Sequence, residues 1–237
     1  MPEYEKHFRG EQIGNIILGG QDGLVNVLAV VLGVASATND VFIVLVAGLA
    51  ATFAETISMA AVAYTSTKAD WDYYKAERAL EENAIKENPK DEIKEIREIY
   101  AKKGFKGRLL NDIVKIITSN EKVWVDTMMS EELNLSPKFG KSPIKNGLIV
   151  FVATLVGSIV PLVPFVFLPI SNAMIASVII AVAVLFAVGV VKAKLTVGNW
   201  LGSGLELALI GTLAAISGYF IGIGLGALFG TNVVGVG

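Results

Sequence analysis

Residues 39–67 read NDVFIVLVAGLAATFAETISMAAVAYTST. Between Val41 and Tyr64 the only ionisable acid or base is Glu55. A helix needs about 20 predominantly apolar residues to cross the hydrocarbon core of a bilayer, and this stretch meets that length with a carboxylate in its middle. A charge at that depth is costly to keep, so Glu55 marks a functional position by default. Past Tyr64 the pattern changes within a turn or two to a densely charged segment, Lys68–Lys145. The reading is a helix that leaves the membrane and continues into water.

The same contrast organises the whole chain of 237 residues, 53% apolar and 18% charged. Of its 20 Lys and Arg, 16 fall in Lys68–Lys145, as do 15 of the 22 acids. Charge segregated in this way predicts a membrane protein with one large aqueous insertion rather than a water-soluble domain. The net charge of −2 offers no basic excess to neutralise phosphates, which argues against nucleic-acid binding. With no Cys and a single His, His7, thiolate sites, disulfides and sites of several imidazoles are excluded. Residues 1–12 are polar, and the first apolar stretch lacks a signal-peptide pattern.

Four further stretches match Val41–Tyr64 in length and character: Ile13–Ala37, Pro143–Leu168, Asn172–Val191 and Gly204–Phe229. The links Thr38-Asn39-Asp40 and Pro169-Ile170-Ser171 are short enough to demand antiparallel hairpins. Five spans place Lys6 and Arg9, the segment Lys68–Lys145, and Lys192 and Lys194 all on one side, while the opposite-side segments carry no Lys or Arg. By the positive-inside rule that side is the cytoplasm. The expected fold is all-α: five transmembrane helices with a cytoplasmic helical bundle inserted between the second and third. The expected parts are 1–66 with spans one and two, 67–142 as the bundle, and 143–237 with spans three to five.

Inside the charged segment the pattern stays helical. Ala69–Asn88 extends the second span, and Pro89-Lys90-Asp91 is a helix start with acid in the first turn. Asp91–Lys102 is stopped by Gly104, Phe105–Thr118 follows, and a last helix over Asn120–Leu133 ends at Ser136-Pro137.

In the first span Asn15, Gly19, Asp22 and Asn26 fall on one helix face, with Gly20 and Gly23 beside them. In the second, Gly48, Thr52, Glu55 and Met59 form a similar stripe. Asp22 and Glu55 each lie about nine residues from the cytoplasmic end, roughly 14 Å at 1.5 Å per residue. Two carboxylates at one level with a thioether one turn nearer the cytoplasm suit a partly dehydrated divalent cation, and the soft sulfur favours Fe²⁺-like metals over Mg²⁺ or Ca²⁺. Taken alone Met59 is as readily a packing residue, and Thr52 and Ser58 are expected to bond to their own helix backbone. No Lys or Arg lies in the middle of the spans to pair with Asp22 and Glu55. Glu206, at the edge of the fifth span, is reached by interfacial water. The run Gly218, Gly222, Gly226, Gly230 reads as close helix packing, within one protomer or between two. Pro161 and Pro164 are expected to kink or end the third span.

In the charged segment Glu92 and Glu95 share one face, Met128 and Glu132 another, and Glu77, Glu81 and Glu82 sit on the extension of the second span. For any single Glu a solvated charged face is the simpler reading, since Lys94, Arg97 and Lys102 interleave with the acids as surface pairs of small worth.

These residues resemble the vacuolar iron transporter family. The matching pieces are Gly20-Gln21-Asp22-Gly23, Glu55-Thr56-Ile57-Ser58-Met59-Ala60 with Tyr64 and Lys68, the Pro89–Gly104 stretch, and Met128-Met129-Ser130-Glu131-Glu132. The likeness spans nearly the whole chain. It implies a homodimer of five-span protomers, with an ion path along the dimer interface lined by the first two spans. It also implies a non-enzymatic carrier that moves Fe²⁺ out of the cytoplasm in exchange for protons, with no resident cofactor. Carried over by residue, Asp22, Glu55 and Met59 line the path, while Glu81, Glu92, Glu95, Met128, Met129 and Glu132 bind metal in the cytoplasmic domain. One position departs: the second Glu expected one turn beyond Glu81 on the first cytoplasmic helix is Ala84 here, leaving Glu77 or Glu82 as substitutes. Mn²⁺ is a second cargo, since carboxylate sites accept both metals. The membrane would be vacuolar in a eukaryote and the plasma membrane in a prokaryote, with the N-terminus and 67–142 in the cytoplasm. The alternatives are a membrane-bound iron-binding, storage or ferroxidase protein, disfavoured by the lack of Glu-x-x-His motifs, and an assembly protein that leaves Asp22 and Glu55 without a role.

Overall fold

A computed structural model describes residues 3–135, 142–196 and 198–229, with side chains described from Gln12 onward. Ser136 and Pro137, the expected end of the last charged helix, lie outside the described residues, as do Gly230 and the side chains of Lys6, His7 and Arg9. Among the described residues the fold is helical throughout, without strands. The helices are α1 (Glu3–Thr38), α2 (Val41–Glu87), α3 (Pro89–Lys102), α4 (Gly107–Thr118), α5 (Glu121–Thr127), α6 (Pro143–Ile159), α7 (Val163–Phe167), α8 (Ile170–Leu195) and α9 (Trp200–Phe229). Five segments are long and apolar enough to cross a membrane: Gln12–Thr38, α2, Pro143–Phe167, α8 and α9. The chain divides into a span unit, Met1–Thr65 with Ser142–Gly237, and a charged unit, Ser66–Lys141.

In the span unit α1 is the central helix. Leu24, Leu28 and Leu32 pack with Ala181 and Leu185 of α8 and with Leu207 and Ala215 of α9. Val27, Val31 and Ala35 pack with Val44 of α2, Leu162, Phe165 of α7 and Ala173. Two seams bring backbones together where a side chain would not fit. A Cβ on Gly157 of α6 would strike the Gly20 carbonyl of α1, and one on Gly222 of α9 would strike the carbonyl of Gly33. The glycine run of the fifth span therefore packs α9 on α1 within one protomer, as Gly218 against Ala29 also shows.

The short link after α1 is built by two residues. Asn39 adopts a left-handed φ of 51°, a conformation asparagine tolerates. Asp40 then caps α2, its Oδ1 accepting from the backbone N–H groups of Phe42 at 2.8 Å and Ile43 at 3.2 Å. At Pro161 and Pro164 the third span changes pitch through a 3₁₀ turn, Val160–Leu162, and restarts as α7, because a proline removes a ladder donor and crowds the preceding turn. The Ser177 hydroxyl of α8 donates to the Pro161 carbonyl at 2.8 Å.

The charged unit has its own core. Tyr74 and Ile85 of α2, Ile96 of α3, Leu110, Val114 and Ile117 of α4, and Trp124 and Val125 of α5 bury together with Met128 and Met129. Gly104, at φ 98°, ends α3. The Asn120 side chain caps α5 by accepting from the Val123 N–H at 3.2 Å. Sequence periodicity predicted a uniform α-helix to Leu133, but the last turn, Met128–Glu132, is a π-helix. The Leu133 N–H reaches back to the Met128 carbonyl at 3.2 Å. Single π turns within helices are frequent at functional sites.

Candidate metal path and carboxylate cluster

In the span unit the carboxyl of Glu55 on α2 lies against the carboxyl of Asp22 and the amide of Asn26, both on α1. α2 comes close to α1 at Gly48, where a Cβ would lie 2.8 Å from the Val31 Cγ1, while Gly19, Gly20 and Gly23 hold α1 against α6. A Cβ on Gly19 would lie 2.8 Å from the Thr154 hydroxyl, and Gly23 faces Ser158. Asp22 and Glu55 are half-buried and Asn26 is exposed, so the group opens onto the protomer's own surface. Met59, one turn further along α2, is also half-buried. Thr52 bonds to its own helix, its Oγ1 donating to the Gly48 carbonyl at 2.8 Å. Thr56, Thr154 and Ser158 are fully buried, and their hydroxyls have no hydrogen-bond partner. These hydroxyls were not among the sequence-derived candidates, since Ser and Thr in apolar helices usually satisfy themselves on the preceding turn. Glu206 is exposed on α9, away from Asp22 in sequence and element.

In the charged unit four acids from three elements come together: Glu81 of α2, Glu92 and Glu95 of α3, and Glu132 in the π turn. Partial burial first, then the charges of Glu95, Glu81 and Glu92, pushes the Glu132 carboxyl from 4.5 up to about 7. Like-charge crowding by the three other acids adds to the effect of partial burial. Glu92 is raised by its burial, and then by Glu95, Glu81 and Asp91. It is only 8% exposed, and its Oε2 has no hydrogen-bond partner. A buried carboxylate oxygen left this way is costly, and a cation is the partner its chemistry fits. Glu95 is the shared neighbour of all three other acids.

The nearby cations are engaged elsewhere. Arg78 bonds Asp126 at 2.6 Å, Glu82 at 3.0 Å and the Tyr74 hydroxyl at 3.4 Å, and Lys103 pairs with Glu131. The arginine thus removes Glu82 as a replacement for the ligand missing at Ala84, whereas Glu77 lies close enough to Glu81 to act on its charge. Met128 and Met129 are fully buried in the core beside Ile96 and Trp124, so both thioethers serve as packing groups here. Among the described residues no three acidic or imidazole groups converge as a ready-made metal cage.

The sequence matches the VIT family over residues 13–223. It is 32% identical to vacuolar iron transporter 1 of Tulipa gesneriana over 91% of this chain and 88% of that protein. It is 34% identical to vacuolar iron transporter 2 of Oryza sativa subsp. japonica over 91% of this chain and 88% of that protein. The vacuolar iron transporter of Toxoplasma gondii shares 31% identity over 92% of this chain and 76% of its own length. The family match spans both the Asp22–Glu55 pair and the four-glutamate cluster, and the chain belongs to the VIT family.

Proposed function

We propose that the chain carries Fe²⁺, and Mn²⁺ with it, out of the cytoplasm across a membrane in exchange for protons. The relatives named as vacuolar iron transporters support metal transport. The observation that carries the reading is the contact of Glu55 with Asp22 and Asn26 between two apolar helices, without Lys or Arg in the middle of the spans. In hydrocarbon two such acids need a counter-ion or protons, and exchange of one for the other is the chemistry of a proton-coupled carrier.

Glu81, Glu92, Glu95 and Glu132 gather the metal on the cytoplasmic side, next to the core in which Met128 and Met129 lie. Met59 passes the ion to Asp22 and Glu55, and protons arriving from the far side release it. A second copy of the chain closes the path. Asn26 is exposed beside the pair, and the flank of α2 next to Glu55 presents Ala54 and Ser58 to the outside, small residues that allow close helix approach. The host sets the membrane, vacuolar or plasma.

The test is Fe²⁺ and Mn²⁺ flux into sealed proteoliposomes holding an internal pH dye, for wild type and Asp22→Asn. Metal entry coupled to opposite proton movement, and lost in the variant, is expected. Unchanged flux in Asp22→Asn would sink the carrier reading. Metal uptake by the protein with oxygen consumption and no flux would establish an iron-binding or ferroxidase role instead.

A further inference from the structure

On the side of α1 opposite Asp22 lies an apolar groove of about 1010 Å³ between α1, α6 and α8. Its walls include Ile13 and Ile17 of α1, Val152 of α6, and Val188 and Leu195 of α8, and its floor includes Gly20, Gln21 and Gly157. Along α1 it runs from Ile13 to Leu24, and along α8 from Val184 to Leu195. Eleven residue steps at 1.5 Å make about 16 Å, close to half of a hydrocarbon core of about 30 Å. The groove is therefore one leaflet deep.

Its polarity runs in one direction. Among the described residues the one charged lining residue is Lys145, which stands in the first turn of α6. Lys192 and Lys194 occupy the last turn of α8, where Leu195 joins the lining. Three cationic side chains thus stand at the end where a leaflet meets water, above a trough that holds no further charge among the described residues. Long lysine stems extend to such an interface while their heads stay hydrated. Basic recesses between spans attract anionic headgroups.

We infer that this groove is a binding site for one anionic phospholipid, its acyl chains lying between α1, α6 and α8 and its phosphate held by Lys145, Lys192 and Lys194. The floor is the Gly20–Gly157 seam, two residues from Asp22 along α1. A lipid in the groove braces that seam from the face opposite the carboxylates.

The experiment is native mass spectrometry of the full chain in mild detergent, titrated with phosphatidylglycerol or phosphatidylcholine of the same acyl chains. Wild type should retain phosphatidylglycerol in preference, by about fivefold for each engaged lysine. The triple variant Lys145→Gln, Lys192→Gln, Lys194→Gln should bind the two lipids equally. A second variant, Val152→Trp with Val188→Trp, fills the trough and should lose both lipids while keeping its helicity and elution volume. Equal retention by wild type, or phosphatidylglycerol preference surviving in the triple variant, would overturn the inference. So would dissociation of two chains, with lipid retention unchanged, in the tryptophan variant, because the groove would then be an interface between copies.

Discussion

The span unit and the charged unit each gather acids, and they do so by opposite means. Asp22 and Glu55 are two carboxylates that meet where α2 comes close to α1, with Gly48 of α2 set against Val31 of α1. The charged unit collects four, Glu81, Glu92, Glu95 and Glu132, on a core of aromatic and aliphatic side chains. Two of its cations, Arg78 and Lys103, are tied to Asp126, Glu82 and Glu131. In a medium of low dielectric each charge counts heavily, so a pair suffices to hold a divalent ion. Near water the interaction is screened, and more ligands are needed for the same affinity. On the proposed reading the pair sets whether an ion crosses, and the cluster how readily it is captured.

The sharpest way to break this comparison is to neutralise one acid in each unit. Glu55→Gln should reduce Fe²⁺ flux more than about 100-fold, beyond the loss that removing an outer-shell partner brings. Glu132→Gln should leave flux at saturating metal intact and raise the metal concentration for half-maximal flux about tenfold. Equal loss of maximal flux in both would put the two sites in one obligatory step.

The glycine seam comes next. Gly157→Val drives a side chain into the Gly20 carbonyl, and overpacking of this kind costs about 1–3 kcal/mol. The expected result is a lower unfolding midpoint in detergent together with reduced flux, while metal binding by the charged unit persists. An unchanged midpoint would mean that α1 and α6 do not rely on this contact.

A titration sharpens the comparison further. On the proposed reading metal displaces protons from Glu132, whose carboxyl is pushed up to about 7, and from Glu92, which is also raised. Calorimetric Mn²⁺ affinity should therefore weaken as pH falls through 7, by up to about tenfold per unit for each proton displaced. Stability of the metal-free chain should move the other way. The folded form holds these protons more tightly than the unfolded chain, so their contribution favours folding below about 4.5 and is lost as pH rises through about 7. Glu132→Gln should flatten both profiles, and a pH-independent affinity in wild type would remove the cluster from metal capture.

The smallest effect is expected at Arg78→Met. Its pairs with Glu82 and Asp126 are partly exposed, and such pairs contribute up to about 1 kcal/mol each. A modest drop in the unfolding midpoint, with unchanged Mn²⁺ affinity, is expected. A gain in affinity on releasing Glu82 would show that the arginine withholds a ligand.

Much of this was legible in the sequence because bilayer length and charge segregation act locally along the chain. The five apolar segments, the helix running from Val41 through the charged stretch, the break at Pro161 and Pro164, and Asp22 and Glu55 as the unpaired acids all follow from residue order. So does the family resemblance, since motif spacing is a property of the chain alone. What needed tertiary structure was each fact that depends on two distant segments meeting. Periodicity could not tell whether the Gly218–Gly226 run packs within a protomer, whether Glu82 or Glu77 stands beside Glu81, or that Met128 and Met129 lie in a core. Nor could it foresee the π turn at Met128–Glu132, which local propensity does not encode. Composition fixes what a segment can bury, but which carboxylates share a site depends on the packing of backbones many residues apart.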